Sequence, residues 1–89
     1  MSKEHDLVKW LLDEGFVENE LLFVKRDEHA KYIVGIGPEY IVFRVEGKGR
    51  YCMTSIPWDD IEDLPLRTLK KMVIENLNLT IRYLKEREA

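Results

Sequence analysis

Cys52 is the single cysteine of the chain. No intrachain disulfide can form, and a reducing compartment is expected. The only other soft metal ligands are His5 and His29, and their spacing fits no zinc pattern. Both histidines read as solvated, one in a first helical turn and one in a loop. Cys52, within a strand, reads as a small hydrophobe rather than a nucleophile. Positive charge is not in surplus. Lys and Arg number 14 against 17 Asp and Glu, a net charge of −3. A protein that holds nucleic acid by broad phosphate neutralisation should be basic, so that class is disfavoured. No run approaches the ~20 apolar residues of a membrane span. Residues Met1 to Asp6 are polar and carry both signs of charge, with no signal-peptide core after them. The expected location is the cytoplasm, of a cell or of a virus-infected cell, without a membrane partner.

The short motifs of catalysis are also missing. Gly35-Ile36-Gly37 could open a dinucleotide fingerprint. Tyr40 stands where the third glycine belongs, however, and Pro38 with the strand after it excludes the required helix. Ser55 is not in a nucleophile elbow. The acidic run Asp59, Asp60, Glu62, Asp63 lacks calcium-loop spacing and reads as carboxylates complementing the start of the next helix. No carboxylate pair is nominated for acid–base work. The expectation is a non-enzymatic protein with no metal site and no cofactor.

What the sequence does contain is a folded domain. Its 89 residues are 45% hydrophobic and 35% charged, ordinary for one globular unit spanning 1–89. A chain this short buries only roughly 60–65% of its unfolded surface, so association would add to its stability.

The organising stretch is Leu64 to Glu88. Pro65 suits a first helical turn, and no Gly or Pro follows it, so a helix of about six turns is predicted. At ~100° per residue, Leu66, Leu69, Val73, Leu77, Ile81 and Leu84 share one face, with Ile74 at its edge. Met72, Leu79 and Tyr83 lie to one side of that face, beside Asn76. The apolar arc is roughly 200° wide, well beyond the ~100° that one covering surface needs. Met72, Asn76, Leu79 and Tyr83 are therefore either covered by the N-terminal helix of the same chain or are the candidate interface with a second copy or another protein. A two-fold dimer is the economical solution, because it needs one self-complementary patch.

Upstream, Ser2 can cap a helix from about Lys3 to Glu14, bearing Leu7, Val8, Trp10 and Leu11, and ended by Gly15 with Phe16 as its apolar contact. A link over Val17–Asn19 precedes four predicted strands: Glu20–Lys25, Lys31–Ile36, Tyr40–Glu46 and Arg50–Ile56. Tight turns at Arg26–His29, Gly37–Glu39 and Gly47–Gly49 make neighbours antiparallel. The predicted fold is α+β, a four-stranded antiparallel meander flanked by an N-terminal and a long C-terminal helix. Pairing about Lys48 is predicted to set Ile41, Phe43 and Val45 on the core face with Tyr51 and Met53. Trp58 is expected to clamp the connector to the body. The aromatics read as core and interface anchors rather than a base-stacking platform. One alternative function remains: Arg67, Lys70 and Lys71 at the helix start, joined by Lys48 and Arg50, could contact a phosphate or nucleic acid.

Overall fold

The computed structural model describes residues 3–20 and 22–88. The order is α1 (Lys3–Asp13), β1 (Val17–Asn19), β2 (Leu22–Arg26), β3 (Lys31–Ile36), β4 (Tyr40–Gly47), β5 (Arg50–Pro57), a 3₁₀ turn (Trp58–Asp60) and α2 (Leu66–Glu88). The α+β class is as the pattern predicts. The sheet has five strands in the order β1-β2-β3-β4-β5, antiparallel throughout, not four. The added strand is Val17–Asn19, where the pattern predicts only a link. It is three residues long and exposed along its length, so it has no buried alternation by which to be recognised. Glu20 then takes φ 60 to turn the chain into β2. The Ser2 cap falls outside the described residues.

Local chemistry explains each boundary. Gly15 has φ 98. Its N–H donates to Leu12 O at 3.2 Å, and Phe16 N–H donates to Leu11 O at 3.0 Å. That pair of bonds is the Schellman ending, which wants a glycine at this place. Lys25 Nζ reaches Glu14 O at 2.8 Å, adding a cation at the negative end of the α1 dipole and tying α1 to β2. Between β2 and β3, Asp27 Oδ1 accepts from His29 N–H (2.7 Å) and Ala30 N–H (2.8 Å). Oδ2 accepts from the Tyr32 hydroxyl at 3.0 Å. These bonds, led by His29 N–H, hold the Asp27 carboxyl below its usual value of 3.8. Pro65 precedes α2, and its carbonyl accepts from Thr68 N–H and Leu69 N–H at 3.0 and 3.1 Å.

The β4–β5 turn corrects the predicted face of β5. Gly47 pairs with Arg50, leaving a two-residue loop, and both loop residues have positive φ, Lys48 51 and Gly49 77. This is a type I′ hairpin. The predicted pairing assumed a three-residue loop. One residue of difference turns every β5 side chain to the opposite face. Cys52, Thr54 and Ile56 therefore lie opposite Val45, Phe43 and Ile41 on the core face, while Tyr51 and Met53 point away with Glu46 and Arg44.

Both helices cover the same side of the sheet. One core joins Leu7 and Leu11 of α1, Phe23, Val34, Ile41, Phe43 and Val45 of the strands, and Leu69, Val73, Leu77 and Leu84 of α2. Thr80, a polar residue outside the predicted apolar stripe, is fully buried there. Its hydroxyl donates to Asn76 O at 2.6 Å and lies 3.4 Å from Thr54 Oγ1 on β5. A polar residue can occupy the stripe because the helix itself supplies its acceptor.

Candidate protein-interaction surface

With α1 and α2 stacked on one side, no described element covers the other. Strand register assigns Val17, Leu22, Val24, Ile33, Val42, Tyr51 and Met53 to this outer face. Val17, Leu22, Tyr51 and Met53 are exposed. Ile33 is buried although it lies outside the core cluster. Its neighbours across the strands are Val24 and Arg44. Arg44 Nε lies 2.7 Å from Glu46 Oε2, and its guanidinium stacks 4.1 Å from the centre of the Tyr51 ring. This places a cation–π pair at the hairpin end of the face.

The predicted helix interface sits at the margin of the molecule. α2 runs over β4 and β5, and β5 is the last strand of the sheet. Ile74, on the opposite flank of α2, shares a shallow recess with Trp10 and Phe16. Met72, Asn76, Leu79 and Tyr83 occupy the flank on the β5 side. Met72 is half-buried against the core, Leu79 and Asn76 are half-buried, and Tyr83 is exposed. The Asn76 side-chain amide donates to Met72 O at 2.8 Å, so the one polar member of the group is satisfied within the helix. The structure thus brings the four residues together beside an open strand edge.

The predicted basic group is not one patch. Lys48 lines a recess with Leu84 and Lys85, near the far end of α2. Arg50 lines another with Leu84. Arg67, at the start of α2, lies about 25 Å away along the helix, at 1.5 Å per residue. Lys71 Nζ is 3.9 Å from Glu75 Oε1, one turn on. The separation follows from chain order, because β5 carries the chain about 26 Å from Arg50 to Pro57 before the short connector brings it to α2. The hairpin end instead gathers Lys31, Arg44, Lys48 and Arg50 around Glu46.

The opposite end is acidic. Glu4, Glu39, Asp59 and Glu62 line an open cleft of about 620 Å³ with Tyr40 and Trp58. Trp58 is buried, its indole N–H donates to Gly37 O at 2.7 Å and its backbone N–H to Glu39 O at 2.9 Å. It clamps the connector to the β3–β4 turn as expected. The two ends of β5 therefore differ, with Lys48 and Arg50 at its start and Asp59 and Asp60 just past its close, where Arg67, Lys70 and Lys71 follow at the start of α2. Cys52 is half-buried on the core face of β5, and His5 and His29 are exposed. No helix among the described residues is long and apolar enough to cross a membrane. No protein-family model, curated protein or solved structure matches the chain.

Proposed function

We propose that this protein is a non-enzymatic interaction module that pairs with a copy of itself along the Met72–Tyr83 flank of α2. In this reading the paired form offers the outer sheet face, apolar at Leu22, Ile33, Val42 and Met53 and charged at Lys31, Arg44 and Glu46, to another polypeptide. The observation that carries the proposal is the half-covered α2 flank, with Tyr83 exposed, lying beside the open β5 edge. Light scattering across a range of concentrations tests it. A mass near twice 10.6 kDa is expected, and 10.6 kDa at every concentration would refute it.

The second reading is anion or nucleic-acid contact, now confined to the hairpin end. Lys31, Arg44, Lys48 and Arg50 around one recess favour it over the α2 start. It requires binding to single- or double-stranded oligonucleotides at low salt that falls steeply as salt is added. A gel shift showing no retention at low salt removes it.

A further inference from the structure

From the two edges of the sheet we infer that the copies join strand to strand, β5 against β5 antiparallel about a two-fold axis at Met53, forming one ten-stranded sheet. This rests on the self-association proposed above and specifies its geometry.

The two edges differ. β1 is three residues long, has Glu18 at its centre and is followed by Glu20, and short, charged edges resist further pairing. β5 is eight residues long and pairs with β4 residue for residue, without a bulge. From Tyr51 to Ile56 it carries no charge and no proline, so the usual protections are missing. In a two-residue hairpin the closing pair Gly47–Arg50 is hydrogen-bonded, so Cys52, Thr54 and Ile56 direct their N–H and C=O to β4. Tyr51, Met53 and Ser55 therefore turn theirs to the open edge. A two-fold axis at Met53 pairs Met53 with its own copy and Tyr51 with the copy's Ser55.

Three independent features agree with that register. First, helix spacing is right. α2 lies over β4 and β5, so strands continuing at ~4.8 Å bring the two α2 axes to about 10 Å, a normal helix-packing distance. Second, the flanks that then face each other are those of Met72, Asn76, Leu79 and Tyr83, which the fold leaves half-covered with Tyr83 exposed. Third, charge is complementary. The antiparallel arrangement sets the Lys48–Arg50 turn of one copy beside Asp59 and Asp60 of the other, twice over by symmetry.

The test measures, on the full chain, solution mass together with backbone amide exchange followed residue by residue. The expected result is a dimer in which the amides of Tyr51, Met53 and Ser55 are protected and lose protection on dilution. Met53→Pro removes both N–H donors of the central pair while leaving the β4 pairing intact, since its N–H does not face β4. Dimer affinity should fall on the order of a hundredfold. Should that variant not fold, Met53→Lys places a charge on the exposed edge and must show the same loss. A dimer with freely exchanging amides at these positions, indifferent to both substitutions, overturns strand pairing and leaves the α2 interface standing. A monomer at every concentration overturns both.

Discussion

Ile74 and Tyr83 are exposed to similar extents, 49% and 44%, on opposite flanks of the same helix. Only the Tyr83 flank borders β5. The double substitution Leu79→Glu with Tyr83→Glu should therefore yield a folded monomer, while Ile74→Glu should leave the dimer intact. The magnitude follows from what remains to be buried. Full burial of a large apolar side chain contributes about 1.5–3 kcal/mol. Leu79 and Tyr83 are already partly covered, so association adds about 1 kcal/mol for each. Two residues in two copies give about 4 kcal/mol, roughly a thousandfold in dissociation constant. Four carboxylates brought together widen the gap. Within one chain the loss is smaller, about 1 kcal/mol for half-buried Leu79, against a typical domain stability of about 5–15 kcal/mol. Light scattering reads the mass and circular dichroism the fold. Dissociation by Ile74→Glu, or a dimer that survives the double substitution, would refute the assignment of the interface to this flank. Unfolding of the double variant would show that the flank is core rather than contact surface.

Other consequences follow from single observations. Lys48→Glu with Arg50→Glu should weaken the dimer, and adding Asp59→Lys with Asp60→Lys to the same chain should restore it; analytical ultracentrifugation at low salt reads both. Lys48→Gly should raise the melting temperature by removing a side chain from φ 51, a strain of about 1 kcal/mol partly offset by the entropy of glycine. Asp27→Asn should destabilise the protein near neutral pH. Because the folded carboxyl is more acidic than its ordinary 3.8, the unfolded chain binds the extra proton. The Asp27 contribution is thus full above the ordinary value and is lost as pH falls through the folded one. Denaturation curves of the two proteins should converge in acid. Trp58→Phe should cost about 1 kcal/mol through the lost bond to Gly37 O, read from urea midpoints.

Where the sequence was legible, a strong period or a turn residue made it so. The five-residue spacing from Leu11 to Phe16 across Gly15 predicts the Schellman ending that forms. The α2 stripe emerges from Leu69, Val73, Leu77 and Leu84. The misses are physical too. β1 has no buried side chain to mark it, and only its pairing with β2 makes it a strand. The β5 face hinged on whether Gly47 belongs to the strand or to the loop. Lysine at positive φ carries no signature, so the two-residue turn could not be told from a three-residue one. The candidate flank of α2 was readable because it depends on one helix alone. The basic patch fails because the short connector ties the start of α2 to the end of β5, a strand's length from Lys48.

The strands stand in space in the order in which they occur in the chain, so each can pair as soon as it leaves the ribosome. α2 comes after all of them. A nascent chain that has released β5 but still holds α2 inside the exit tunnel carries a sheet with apolar side chains on both faces and an open edge. Ile41, Phe43 and Val45 then lack the cover that Leu69, Val73 and Leu77 later provide. For that interval two nascent chains on one message would be mutually adhesive. The feature that leaves the mature protein one bare face thus exposes two during its synthesis.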